Sequence, residues 1–128
     1  MKRFILPLLI ALALPINVHA QKPPGVTTTS SPSSISLAKH LKSTGAVKYS
    51  AYWCPHCHEQ NELFGKKAAA ILLNVECAED GENSNPKLCQ RKGINSFPSW
   101  EINGVIESGV KTLDELSELS DFQGSKDF

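Results

Sequence analysis

The chain has 128 residues, 41% of them hydrophobic, with 13 basic against 13 acidic side chains. That is material for one small domain. The balanced charge excludes the basic footprint of a nucleic-acid-binding protein, so no nucleic-acid partner is expected. Four cysteines and a single methionine, Met1, are the most telling entries in the composition.

In chain order, the first segment reads as a signal for export. Lys2 and Arg3 precede the apolar run FILPLLIALALPI, and Val18-His19-Ala20 offers small residues at both positions of a cleavage site. The run is shorter than the ~20 residues of a spanning helix and contains Pro7 and Pro15. Cleavage after Ala20 is expected, with an uncleaved anchor as the alternative. Residues 21–34, QKPPGVTTTSSPSS, lack apolar periodicity and are expected to form a flexible leader. The folded domain is then residues 35–122, followed by a frayed tail, 123–128.

Within the domain, Ile35, Ala38 and Leu41 recur at helical spacing over 35–43, and Gly45 ends the turn. Residues 46–52 alternate around Val47, Tyr49 and Tyr52 and predict a strand. Pro55 suits the first position of a helix, which Gly65 breaks or kinks before AAAIL resumes. Residues 73–77 form a second strand, and AEDGENSN is a loop. Asn85-Pro86 opens a short helix that stops at Gly93. Asn103-Gly104 marks a hairpin between strands 99–102 and 105–108. Thr112-x-x-Glu115 is a capping box for a last helix containing Leu113, Leu116 and Leu119. This order predicts an α/β fold, one small sheet with helices on both faces. The segment AYWCPHCHEQ falls where the first strand hands over to its helix, a usual position for sites in α/β sheets.

Cys54-Pro55-His56-Cys57-His58 admits three chemistries: a redox dithiol, covalent haem attachment or half of a metal site. A dithiol exchanges through thiolate attack on sulfur. A helix N-terminus beside Cys54 would favour the anion, and His56 could add a hydrogen bond or a positive charge. The spacing puts Cys57 one turn on. Cys54 is then the exposed nucleophile, and Cys57 the thiol beneath it that resolves a mixed disulfide. Haem would take His58 as one axial ligand and need a second, for which His40, Cys77 or Cys89 would have to serve once Met1 is lost. For a metal, Cys54, Cys57, His56 and His58 lie too close together to close a tetrahedron alone. The Cys77 and Cys89 spacing fits no zinc template, which leaves copper chaperoning as the reading of that class.

WCPHC in a strand-to-helix turn, with Phe97-Pro98 leading into a hairpin, resembles the thioredoxin family, and the CPHC tetrad is similar to the DsbA type. A closer resemblance runs through AYWCPHCHEQ, ELFGK, VEC, LCQ, G-I-x-x-F-P-x-W-E-I-N-G and SGV-x-x-L-x-E-L. It is to the thioredoxin-like domain fused to vitamin K epoxide reductase homologues, here without the membrane part. The resemblance implies a thioredoxin-like fold with a small mixed sheet of about four strands. It also implies a thiol–disulfide oxidoreductase of a periplasm or thylakoid lumen that needs no cofactor beyond its redox-active disulfide. Partners would be exported proteins bearing thiols or disulfides, with electrons passing to a membrane protein like vitamin K epoxide reductase that reduces a quinone. A monomer is expected.

The resemblance makes Pro98 cis against the dithiol and makes Phe97 a substrate contact. Sequence pattern alone favours trans, since only ~5–6% of X-Pro bonds in folded proteins are cis. Trp53 is a further candidate substrate contact, and Trp53 and Trp100 are both read as packing at the edge of the site. The family's buried acid, six residues before the first cysteine, is replaced by Lys48. Lys48 could tune the thiolate, but a strand lysine with its head in water is the plainer expectation. Four cysteines permit three pairings. The pairing expected is Cys54 with Cys57 and Cys77 with Cys89, the second pair being a structural clip or a redox relay. His40 is read as a surface helix residue, and His58 as facing solvent.

Overall fold

The computed structural model describes residues 12–16 and 19–128. Most of the expected export signal therefore lies outside the described residues. Among the described residues no helix is long and apolar enough to cross a membrane.

Four short strands, β1 (Val47–Ser50), β2 (Leu73–Glu76), β3 (Ser99–Ile102) and β4 (Val105–Ser108), form one sheet in the order β2-β1-β3-β4. β1 and β2 run parallel, as a strand–helix–strand crossover requires, and β3 and β4 run antiparallel. Between β1 and β2 the chain forms α2 (Pro55–Phe64) and α3 (Lys66–Ile71). Gly65 separates them at φ 83°, and a Cβ there would lie 2.4 Å from the Ser30 nitrogen, so only glycine fits. α1 (Pro32–Ser43), α4 (Pro86–Arg91) and α5 (Leu113–Leu119) complete the fold. This is the mixed, four-stranded sheet with flanking helices of a thioredoxin-like fold.

The main core gathers Leu37, Ala38 and Leu41 of α1, Phe64 of α2, Trp100 and Ile102 of β3, and Leu113 and Leu116 of α5. Gln60 is buried among them. Its Oε1 accepts from Trp100 Nε1 at 3.1 Å and from the Lys111 amide at 2.8 Å, and its Nε2 donates to the Lys111 carbonyl at 2.9 Å. The dithiol helix is thereby locked to the segment entering α5. Gln60→Leu would leave those groups unpaired, and a loss of about 2–4 kcal/mol is expected from the urea midpoint at unchanged slope.

Three expectations are corrected. α1 begins at Pro32, not 35, because Ser31 caps it by accepting from the Ser34 amide at 2.9 Å, with Pro32 at the first helical position. The expected leader is tied down. The Thr27 and Thr28 amides donate to the Glu62 carboxylate, the Lys66 amide donates to Thr28 O, and Gln21 bridges Gly81. The expected frayed tail also packs: Phe128 lies against the core, and the Ser33 hydroxyl donates to Ser125 Oγ at 3.1 Å. Polar backbone and hydroxyl pairings, which leave no apolar pattern, do this work.

Candidate active site

Ala51, the buried residue that follows β1, leads into a tight turn in which the Cys54 amide donates to Ala51 O at 3.0 Å. Cys54 is the N-cap of α2 in extended conformation, and Pro55 is the first helical residue. Proline there gives up an N–H that would have had no helical partner. The remaining free N–H groups of the first turn give this end of α2 its positive partial charge. Cys54 and Cys57 are both free thiols. They form a small apolar cluster with Ala51, against which Ala78 and Phe97 pack.

The expected contrast between an exposed Cys54 and a buried Cys57 is not found. Cys54 is 6% exposed and Cys57 4%. Phe97 supplies the cover, and Trp53 stands edge-on to it with ring centroids 6.0 Å apart. The Phe97–Pro98 peptide is cis, as the family resemblance implied and the pattern alone did not. The Phe97 carbonyl lies 3.5 Å from Cys54 Sγ, which donates to it. Burial pushes the Cys57 thiol up to about 12, the hydrogen bond and charge of Cys54 adding to the rise, while an Ala51 backbone hydrogen bond and the Lys48 charge oppose it.

Lys48 does not carry its head out to bulk solvent. It is 3% exposed, and its Nζ donates to Asn61 Oδ1. Burial lowers its pKa to about 8, against the opposing charges of Cys57 and Glu76. Glu76, at the end of β2, is also buried. Its Oε1 accepts from the Tyr52 amide at 3.2 Å and the Ala78 amide at 2.9 Å. One carboxylate thus holds both the turn before the dithiol and the residue after Cys77. Cys77 and Cys89 are joined, with S–S 2.02 Å, and tie the loop after β2 to α4.

A curated Arabidopsis thaliana protein named Thiol-disulfide oxidoreductase LTO1 is similar to this chain. The two are 46% identical over 100 residues, which cover 76% of the chain. They cover 27% of that protein, so the chain spans about a quarter of the length of the curated relative it matches. No protein-family model matches the chain.

The structure brings together Cys54, Pro55, Cys57, Phe97, Pro98, Trp53 and Lys48, and sets other expected residues apart. His56 points outward, its Nδ1 3.3 Å from Glu59 Oε2 on a side chain 72% exposed, so its partner is Glu59 and not Cys54. His58 does not simply face solvent, since Nε2 lies 3.3 Å from Glu62 Oε1 and Nδ1 is buried. His40 is not a plain surface residue. Its Nε2 donates to Ser120 O at 2.8 Å, and its ring stands 5.3 Å from Phe122. Trp100 lies in the core rather than at the site edge, because its indole N–H is satisfied by Gln60. Among the described residues, no group of three or more His, Cys, Asp or Glu is arranged to hold a metal. The sequence reading missed Asn61 and Glu76. Asn61 could have been found at i+4 from Cys57, whereas the Glu76 position depends on the register that sets it beside Ser50.

Proposed function

We propose that this chain is an exported thiol–disulfide oxidoreductase that works through Cys54 and Cys57. The observation that carries this is the pair of free cysteines at the start of α2, packed against Phe97, whose carbonyl accepts from Cys54 Sγ. The similarity to a protein named a thiol-disulfide oxidoreductase supports it. Cys54 attacks, being the sulfur at the positive end of the helix. Cys57, held protonated by burial, resolves. When Cys54 attacks a substrate disulfide, an S–S bond forms to one substrate sulfur and the other leaves as thiolate. Cys57 then attacks Cys54 Sγ, closes the Cys54–Cys57 disulfide and releases the second substrate sulfur. Run backwards, the same steps oxidise a substrate dithiol.

Oxidation is the direction proposed, because a positively polarised helix end favours the reduced dithiol, and a stabilised reduced form makes a strong oxidant. Electrons would pass on to a quinone-linked membrane protein resembling vitamin K epoxide reductase. Reduction or isomerisation by the same dithiol is the alternative, decided by which partner recharges it. The test is a stoichiometric one: the oxidised protein should form disulfides in a reduced, unfolded substrate while its own dithiol becomes titratable. A Soret band on the purified protein would instead favour the haem reading of CPHCH.

Trp53 and Phe97 are the proposed substrate contacts. Trp53 is 59% exposed beside the dithiol, an unusual place for so large an apolar surface without a ligand to cover it. Trp53→Ala is expected to raise KM for a polypeptide substrate about tenfold, as loss of an aromatic anchor does. Stability should stay within about 0.5 kcal/mol, since the ring is a surface group. Steady-state kinetics on a polypeptide and on a small disulfide, with a melting curve, check this; equal losses on both substrates would contradict it.

A further inference from the structure

We propose that Lys48 carries the proton of the buried cysteine, taking it from Cys57 when Cys57 attacks, returning it when Cys57 leaves, and exchanging it with solvent through a cavity that Lys48 itself lines. This rests on the dithiol reading above and adds to it a route for the proton that disulfide exchange must move.

The placement comes from two periodicities. Lys48 and Ser50 alternate onto one face of β1. Their register partners Asn74 and Glu76 lie on the same face of β2. α2 crosses this face, and Cys57 and Asn61, four residues apart, share one side of the helix. The bond from Lys48 Nζ to Asn61 Oδ1 therefore sets the amine one helical turn along from Cys57. A cavity of about 330 Å³ opens here, lined by Lys48, Ser50, Asn61, Asn74, Glu76 and Glu82. The polar groups in its wall are hydrogen-bond partners for water. Glu82 stands at the outer end, half-exposed and 3.4 Å from Lys22, so the cavity leads from Lys48 toward solvent.

The bond from Lys48 goes to a neutral amide, and the buried carboxylate that faces it, Glu76, accepts from the Tyr52 and Ala78 amides, so the amine can lose its charge without leaving that anion bare of hydrogen bonds. The charged and titratable groups that face it are Cys57 on α2, with Cys54 at the helix start, Glu76 on β2 and Glu82 in the following loop; its neighbour on β3, Trp100, is neutral. An amine titrating at about 8 is a better match to neutral working pH than the Cys57 thiol it serves.

In the mixed disulfide, the Cys57 S–H bond breaks and its proton passes to neutral Lys48 Nζ. The sulfur's electron pair forms the bond to Cys54 Sγ, and the bond from Cys54 to the substrate sulfur breaks. The substrate leaves as a thiolate with that pair, and the Lys48 ammonium gives its proton to water in the cavity. In the opposite direction the ammonium protonates Cys57 as it leaves.

Glutathione disulfide is a suitable probe, with the first-order closure of the Cys54–glutathione intermediate followed by stopped flow across pH 6–10. The wild-type rate is expected to rise with pH and level off above about 8, as Lys48 becomes neutral. Lys48→Arg keeps a cation that does not ionise, and Lys48→Met removes it. Both are expected to close about 10²-fold more slowly at pH 7, and to rise with pH without levelling near 8. A wild-type rate and profile in Lys48→Arg would show that charge alone suffices, and would overturn the proposal. A measurement that needs no variant is NMR titration of the Lys48 ε-methylene in the wild type. A midpoint near 8 supports the proposal; an ammonium kept to pH ~10, as in a free lysine, overturns it. If the wild type forms no mixed disulfide at all, the dithiol reading itself fails, a result distinct from a closure step indifferent to Lys48.

Discussion

Replacing Cys54 by alanine is expected to cut disulfide-exchange turnover by about three orders of magnitude or more, the usual cost of deleting an attacking group. The fold should survive, because the sulfur contributes weak hydrogen bonds to Phe97 O and Cys57 and a place in a cluster of small side chains. Replacing Cys57 by alanine should also block turnover, for a different reason. Attack by Cys54 still occurs, and the mixed disulfide then has no neighbouring thiol to resolve it. The two variants are thus expected to be equally inactive in steady state and unlike in what they accumulate. Insulin reduction and oxidation of a reduced polypeptide, measured with melting curves for each variant, check the first part. Substantial turnover in Cys54→Ala would refute the assignment.

The second large effect is on stability. The Cys77–Cys89 bond closes a loop spanning a sequence separation of 12, and holds α4, six residues long, against the end of β2. So short a helix has little stability of its own. Removing both sulfurs as Cys77→Ala with Cys89→Ala is expected to cost about 3 kcal/mol on the chain-entropy model, and to lower Tm by roughly 10–20 °C for a domain of this size. Exchange at a temperature where the variant remains folded should continue. Ala78, next to Cys77, packs against the dithiol cluster, so the relay alternative has a structural route. Lost turnover at unchanged Tm would favour the relay and contradict the structural reading.

Most of the fold was readable because its signals are local. The Thr112–Glu115 capping box, the Asn103-Gly104 turn, the break at Gly65 and the helix start at Asn85-Pro86 all stand where the residues placed them. Cys54 and Cys57 were readable for the same reason, since spacing and Pro55 alone set one at the cap and the other one turn on. What was missed depends on contacts distant in sequence. The burial of Lys48 follows from α2 lying across β1, and the position of Glu76 from the pairing of Ser50 with it. The anchoring of residues 21–34 depends on Glu62, more than 30 residues on, offering a carboxylate to two threonine amides. Trp100 was misplaced because its partner Gln60 is 40 residues away, and without that partner an indole N–H belongs near water. The cis bond before Pro98 has no local signature, and came only from the family resemblance.

The most direct measurement of the central claim is peptide mapping of a trapped complex. The Cys57→Ala protein, reduced and mixed with a disulfide-bearing polypeptide, is quenched in acid, digested without reductant and mapped by mass spectrometry. The predicted result is a single covalent adduct, with substrate sulfur joined to the peptide carrying Cys54, and none on Cys77 or Cys89. An adduct that forms only when Cys57 is kept and Cys54 removed, or no adduct from either variant, would contradict it.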